Sequence, residues 1–193
     1  MDQIIIYIIA AVLLVLSPQI EKWTVKKYRR LVRQMQKNRK YESEISRIIE
    51  IMQHRFGAMR VIIWSYFNGI KNVVGQPGEF LSITYEETND NVQPIADEFK
   101  MIPTTLWKDA IADVENHKGV LQIDIDHARD DMRYYMHKYH IERTYQKKID
   151  ESDLGQGLIT IDFPSRSHTL SLRDMEFLDE NCRTINILMK KIK

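Results

Sequence analysis

The sequence predicts an α+β fold in which a central antiparallel sheet lies between helices at the two ends of the chain. Short segments rich in branched and aromatic residues read as strands. Residues 20–56 are charged and contain neither glycine nor proline, and an apolar rhythm of three and four residues closes the chain, so both ends read as helices. With 193 residues, 44% hydrophobic and 28% charged, the composition is globular and excludes disordered, collagen-like and disulfide-stabilised proteins.

An apolar run at the N-terminus predicts a membrane anchor. Residues 4–16 are uninterrupted apolar sequence, and the stretch up to Trp23 is about long enough to cross a bilayer. A secretory signal peptide fits poorly, because Asp2 stands where a basic n-region would be and no small-residue cleavage site follows. We therefore predict a transmembrane anchor helix over residues 1–20. A buried core helix or a hydrophobic oligomerisation segment is the alternative.

A basic segment follows the apolar run. Residues 21–40 hold nine lysine or arginine residues and one acid, Glu21, so they predict a basic juxtamembrane helix. By the positive-inside rule the N-terminus lies outside the cell membrane and the C-terminal domain lies in the cytoplasm. Each basic residue near anionic headgroups contributes about 1 kcal/mol. Nucleic-acid binding is the less favoured alternative, since aromatic stacking residues are sparse there. The predicted membrane-interface residues are Lys22, Trp23, Lys26, Lys27, Arg29 and Arg30.

The remaining residues, 41–193, predict one domain. Its first helix ends at Gly57, with an interruption of the long N-terminal helix near Asn38. Residues 92–99 are either a short helix or a loop that crosses the sheet. The final helix opens with a capping box at Ser171–Asp174 and carries Cys182, the one cysteine, on its apolar seam. The predicted strands cover residues 60–67, 80–86, 120–124, 141–149 and 157–163. Two further helices are predicted over residues 105–116 and 130–140.

The segments RVIIWSYFNG, LSITYEE and GLITIDF, followed by a closing helix, resemble the GAF family in a prokaryotic or phage-type subgroup. The resemblance covers about residues 41–192. It implies a GAF-like sheet of five or six antiparallel strands and a homodimer interface formed by the first and last helices. It also implies a pocket on the opposite sheet face that binds small ligands in some members. The signature of the cyclic-nucleotide-binding members is missing. Bilin-binding members attach their chromophore to a cysteine in the pocket. Because Cys182 lies on the closing helix instead, we expect no covalent chromophore.

Candidate ligand residues follow from strand alternation. Trp64, Tyr66 and Asn68 alternate along the first strand and so share one face, and Ser82, Thr84 and Glu86 share one face of the second. Tyr134 lies on the helix expected to cover the pocket. Together these residues would supply aromatic walls and converging polar groups, as small-molecule sites do. The alternative is that Trp64 and Tyr66 only fill the core.

We expect no enzymatic activity, cofactor or metal. The chain has no GxSxG, P-loop, GxGxxG or HExxH motif. Residues 124–131 hold four aspartates and a histidine, and two more histidines follow, but a solvated loop explains them better than a metal site. The sequence thus favours a membrane-anchored GAF-like sensory or regulatory module that binds a small ligand or a protein partner. A ligand-free docking protein at the membrane, for example one encoded by a phage, is the alternative.

Overall fold

A six-stranded antiparallel sheet forms the centre of the molecule, in the strand order β3-β2-β1-β6-β5-β4. The computed structural model describes the backbone of residues 2–69, 78–150 and 157–192, and the side chains of residues 25–66, 80–150 and 157–192. The predicted α+β class is confirmed. The elements are α1 (Asp2–Phe56), β1 (Arg60–Gly69), β2 (Gly78–Thr88), β3 (Ile102–Pro103), α2 (Lys108–Asn116), β4 (Leu121–Asp124), α3 (Asp130–Lys138), β5 (Arg143–Lys148), β6 (Leu158–Phe163) and α4 (Leu172–Met189).

Helix α1 is continuous, so the interruption predicted near Asn38 is wrong. Good helix formers fill this region, and the side chain of Gln34 donates to Asn38 Oδ1 at 3.1 Å within the helix. The helix ends as predicted at Gly57, which has a positive φ of 61° that glycine adopts at little cost. The predicted anchor, residues 1–20, lies outside the described side chains. Within the described part of the chain, no helix is long and apolar enough to span a bilayer.

Helices α1 and α4 pack together against one face of the sheet. Ile45, Ile49 and Met52 of α1 meet Leu178 and Cys182 of α4, and all five are at most 1% exposed. Isoleucines of β1 and β6 complete this layer. The apolar seam predicted on the last helix is therefore buried within the chain over its central turns.

Helices α2 and α3 cover the opposite face together with the segment of residues 89–101, which we call the strap. The strap contains turns but no helix, so the crossing-loop alternative is the correct one. A four-residue 3₁₀ turn, Thr104–Trp107, leads from β3 into α2. The short strand β3 is too brief to leave a period-2 pattern in the sequence, and our prediction missed it.

A β-bulge in β2 corrects the predicted alternation of that strand. Ile63 pairs with Tyr85 but Trp64 pairs with Ile83, so Thr84 is the extra residue. Ser82 and Thr84 thereby lie beside Ser65, and the Thr84 hydroxyl donates to Ser65 Oγ at 2.5 Å. Beyond the bulge the register shifts by one residue. Glu86 therefore faces the α2/α3 side of the sheet, and the prediction that it shares a face with Ser82 and Thr84 is wrong.

Candidate functional site

Five aromatic rings form a cluster between the sheet and α3. Phe99 of the strap contacts each of the other four, with ring centroids 5.4 Å from Trp64, 6.1 Å from Trp107, 5.8 Å from Tyr135 and 5.7 Å from Tyr139. Most of these pairs meet edge to face, the geometry that the aromatic quadrupole favours. The five residues come from β1, the strap, the 3₁₀ turn and the end of α3. The cluster therefore joins four separate segments.

A buried ion pair ties the first half of the strap to the sheet. Arg60 Nε lies 3.0 Å from Glu86 Oε1, and the two side chains are only 2% and 4% exposed. The Glu86 carboxylate accepts the backbone N–H groups of Ile95 and Ala96 at 2.7–2.9 Å, while Arg60 Nη2 donates to the Gln93 carbonyl at 3.1 Å. Residues 93–96 are thus held by charge-assisted hydrogen bonds on both sides of the pair.

A second buried acid lies beside this ion pair. Asp162 of β6 accepts the hydroxyls of Thr144 at 2.7 Å and Tyr135 at 3.0 Å. Burial raises the pKa of Asp162 to about 6, although the two hydroxyl donors and the nearby Arg60 act in the opposite direction. Burial also raises the pKa of Tyr135 well above its usual value, with the Asp162 charge adding to the effect. Tyr135 therefore stays neutral and connects the aromatic cluster to the central strands.

A groove of about 590 Å³ opens above the cluster, between the strap and α3. Phe99, Trp107, Tyr135 and Tyr139 form its apolar floor. Its rim carries Met101, Leu106 and Tyr134, which are exposed by 58%, 64% and 71%. Lys138 and Glu98 form an ion pair of 2.7 Å at its edge, and the Tyr139 hydroxyl donates to Glu98 at 3.0 Å. A concave, mostly aromatic surface with a few polar groups at its edge is the usual form of a small-molecule site.

Below the cluster the interior is nearly filled. A void of about 30 Å³ remains beside Trp64, Trp107 and Tyr135, which is room for about one water molecule. Trp107 and Tyr135 line both this void and the groove, so their rings form the wall between the two spaces. A bulky ligand therefore has room in the groove but not between the sheet and the cluster.

The structure brings part of the predicted ligand set together. Trp64, Tyr66 and Glu86 lie on the α2/α3 face of the sheet, and Tyr134 lies on the groove rim. Trp64 is 3% exposed and its indole N–H donates to Thr160 Oγ1 at 3.2 Å, so it lies beneath the groove. Ser82 and Thr84 lie beside Ser65 because of the bulge and do not line the groove, although Ser82 Oγ accepts the amide of Met101 on the groove rim at 2.7 Å. The side chain of Asn68 lies outside the described residues.

Sequence reasoning missed the groove residues that come from loops and from the end of α3. The sequence pattern places Phe99 in a crossing segment and Trp107 on a helix, and it gives Tyr139 no role in a site. Aromatic residues recur along these segments, with Phe99, Trp107, Tyr134, Tyr135 and Tyr139 all between residues 99 and 139. This density was an available signal, but their convergence depends on the path of the strap.

The acidic segment 124–131 is neutralised by arginines. Asp124 accepts two hydrogen bonds from Arg143, at 2.6 and 3.0 Å, which lowers the pKa of the carboxyl. Asp126 accepts a hydrogen bond from Arg166 Nη1, which lowers the pKa of that carboxyl, while Arg166 Nε donates to Glu142. Among the described residues no group of three or more potential ligands is arranged to hold a metal ion.

The lysine and arginine side chains that the structure describes in the basic segment are exposed. Lys26, Lys27, Arg29 and Arg30 lie on the part of α1 that extends beyond the sheet. Lys22 and Trp23 lie outside the described side chains. Four basic side chains on one and a half helical turns give this part of α1 a strong positive potential.

Comparison with solved structures shows that the fold is GAF-like. The blue-light absorbing form of the PixJ GAF domain from Thermosynechococcus elongatus aligns with a TM-score of 0.60 and 10% identity, over 81% of this chain and 88% of that domain. A far-red cyanobacteriochrome photoreceptor aligns with a TM-score of 0.62 and 12% identity, over 92% of this chain and 99% of that chain. A far-red absorbing dark-state protein with bound biliverdin aligns with a TM-score of 0.60 and 14% identity, over 84% and 98% of the two chains.

Sequence comparison adds no relatives. No protein-family profile matches the chain, and no curated protein matches it. The GAF-like resemblance expected from the strand sequences is thus confirmed for the fold. The membrane anchor and the phage-type subgroup stay predictions.

Proposed function

We propose that this chain is a membrane-anchored GAF-like sensory or regulatory module that binds a small apolar molecule and has no catalytic activity of its own. The observation that carries the proposal is the groove of about 590 Å³ floored by Phe99, Trp107, Tyr135 and Tyr139. Its size lies in the range of small-molecule sites, and its exposed apolar rim would lose water contact on binding. The likeness to photoreceptor domains, one of which holds biliverdin, supports a sensory role.

The effect of ligand binding would be transmitted to helices α1 and α4 on the other face of the sheet. Backbone N–H of Met59, three residues after α1, donates to the Asp162 carbonyl at 3.0 Å, and the side chain of Asp162 accepts the Tyr135 hydroxyl. A ligand that shifts Tyr135 would therefore act on the strand that meets the end of α1. Because α1 continues into the basic segment, a change in its position would reach the membrane end. We further propose a homodimer through α1 and α4, as the resemblance implies.

The test of ligand binding is native mass spectrometry on the full-length protein purified from its producing cells. We expect a retained apolar small molecule that Leu106→Glu removes, because the new carboxylate would stand on the groove rim. The matched control is Leu172→Glu, since Leu172 is 80% exposed at the start of α4, on the other side of the sheet. Equal retention by both variants would place the ligand elsewhere.

The alternative is a ligand-free docking protein at the membrane, and the nearly filled interior favours it. It predicts that no small molecule is retained by the wild-type protein. Both functions require the anchor. We therefore expect full-length protein to float with anionic vesicles, with the domain accessible to protease on the cytoplasmic side. Protein that stays in the soluble fraction without detergent would contradict the anchor.

A further inference from the structure

The two halves of the strap are held in different ways. In the first half, Ile95 and Ala96 bond to the buried carboxylate of Glu86, which Arg60 neutralises. In the second half, the Phe99 carbonyl accepts from the Ile83 amide at 3.1 Å, and the Met101 amide donates to Ser82 Oγ at 2.7 Å. The first half is therefore fixed by a charged anchor, whereas neutral hydrogen bonds at the sheet edge hold the second.

An exposed ion pair closes the second half against α3. Glu98 accepts hydrogen bonds from Lys138 Nζ at 2.7 Å and from the Tyr139 hydroxyl at 3.0 Å. These contacts lower the pKa of Glu98, with the Lys138 hydrogen bond as the larger cause, so the carboxylate is charged at neutral pH. The side chains of Lys138 and Glu98 are 44% and 53% exposed, and exposed pairs of this kind contribute little and break readily.

The second half of the strap also carries the ring that fills the interior. Phe99 is 8% exposed and lies at the centre of the aromatic cluster, directly over Trp64. Its ring separates Trp64 from the groove, and the void of about 30 Å³ lies on the far side of the same cluster. If residues 97–101 moved away, an aromatic floor of Trp64, Trp107 and Tyr135 would be uncovered in continuity with that void.

We infer that residues 97–101 form a lid whose Phe99 occupies a second, interior binding site, and that this site takes a flat neutral aromatic compound of one or two rings. The ligand class follows from the present occupant, since the site now holds a benzyl ring in edge-to-face contact with its walls. The size follows from the space of that ring plus the small void. Residues 93–96 stay in place as the anchor, and the Glu98–Lys138 pair controls opening. The inference rests on the proposed ligand-binding function and moves the ligand from the groove to the interior.

The experiment measures amide hydrogen exchange on the full-length protein with and without indole, which serves as the neutral two-ring probe. The reporters of the lid are the amides of Met101 and Ile83, because each donates a hydrogen bond across the contact between the strap and the sheet. The Met101 amide donates to Ser82, and the Ile83 amide donates to Phe99. The amides of Ile95 and Ala96 are the internal reference, since the buried Glu86 holds them. We expect indole to accelerate exchange at the lid reporters and to leave the reference amides unchanged.

Two matched variants test whether the Glu98–Lys138 ion pair controls opening of the lid. Glu98→Gln removes the ion pair to α3 and should raise both lid exchange and indole affinity by about two- to fivefold, the range expected for an exposed pair. Glu142→Gln is the control, because Glu142 forms an ion pair of similar exposure with Arg166 at 3.1 Å, outside the strap and α3. We expect it to change neither quantity. Equilibrium dialysis against a protein-free blank measures the indole affinity.

The possible results separate the lid from the groove. Indole binding with unchanged or slower lid exchange would overturn the interior site and leave the groove proposal standing. Equal effects of Glu98→Gln and Glu142→Gln would overturn the role of the ion pair and with it the lid. Absence of indole binding in both wild type and Glu98→Gln would overturn the interior site, while a retained molecule sensitive to Leu106→Glu would still support the groove.

Discussion

The strap face of the sheet carries the five-ring aromatic cluster, Asp162 and an ion pair, Arg60–Glu86, with both side chains at most 4% exposed, whereas the α1/α4 face buries mainly aliphatic side chains with three aromatic residues, and its Lys147–Asp179 pair keeps the acid 41% exposed. Aliphatic side chains packed between two helices and a sheet need no specific hydrogen-bond or ionic partner. Separating these layers would expose them to water and is therefore unfavourable. Aromatic and charged groups on the strap face depend on specific partners from distant segments. The difference teaches that one face supplies the framework, while the other holds the groups that the proposed ligand would contact.

We expect the largest effect on stability from breaking the Arg60–Glu86 ion pair of the strap face. Arg60→Met should lower the free energy of unfolding by about 3–5 kcal/mol, because it leaves the Glu86 carboxylate buried without its cation. Adding Glu86→Gln to Arg60→Met should restore part of the loss, since the amide oxygen still accepts the Ile95 and Ala96 amides. Glu86→Gln alone should be destabilising. Urea denaturation measures all three variants, and a second mutation that only adds to the loss would contradict the ion-pair account.

A smaller loss is expected from the aliphatic face. Ile49→Ala should cost about 3 kcal/mol, because Ile49 is 1% exposed between α1, α4 and the sheet, and its removal leaves a cavity. Ile51→Ala on the same helix is the control, since Ile51 is 46% exposed and its loss should cost less than about 0.5 kcal/mol. Urea denaturation of both variants checks this. Equal losses would mean that α1 is not held against the sheet as described.

The pH dependence of stability sharpens the comparison further. The folded-state pKa of Asp162 is raised to about 6, above its value of about 4 in the unfolded chain, so between these values the folded protein binds more protons. Its contribution to stability is therefore present at pH 4 and is lost as pH rises through 6. This group alone should reduce the free energy of unfolding by about 2–3 kcal/mol across that window.

Asp162→Asn should remove this loss. The variant is expected to show a flatter stability profile from pH 4 to 6.5 than the wild type, measured by urea denaturation at each pH. Asp124→Asn is the control, because the pKa of Asp124 is lowered by Arg143 and its contribution disappears only at more acidic pH. If the wild type and Asp162→Asn have parallel profiles in this window, Asp162 does not titrate as described.

The smallest expected effect concerns the cap of α4. The Ser171 hydroxyl accepts the Asp174 amide at 3.2 Å, and the Asp174 carboxylate accepts the Ser171 amide at 3.1 Å. Ser171→Ala should therefore cost about 1 kcal/mol. Thr184→Ala, at a half-buried position of the same helix where the hydroxyl donates only locally to the Glu180 carbonyl at 3.1 Å, should change stability by less than about 0.5 kcal/mol. Thermal unfolding followed by circular dichroism would detect the difference, and equal melting temperatures for the two variants would show that the cap does not contribute.

Helices and long strands were predictable because their information is local. The stripe of Ile45, Ile49 and Met52 has helical spacing, Gly57 supplies the helix stop, and Ser171 and Asp174 form a capping box that the structure confirms. The candidate site was predictable only in part. Trp64 and Tyr66 follow strand alternation and face the predicted side of the sheet, whereas the Thr84 bulge shifted Glu86 relative to its neighbours.

By itself the sequence determined the α+β class, the bounding helices, the apolar seam of α4 and the basic segment, because periodicity and charge are properties of neighbouring residues. Only the tertiary structure decided that Phe99 fills the interior, that Arg60 pairs with Glu86, and that Tyr135 donates to Asp162. Arg60 and Glu86 lie 26 residues apart in the sequence, Tyr135 and Asp162 lie 27 apart, and Phe99 lies 35 residues from Trp64. Such contacts form where strand register and the path of the strap bring the groups together, and neither is set by local spacing.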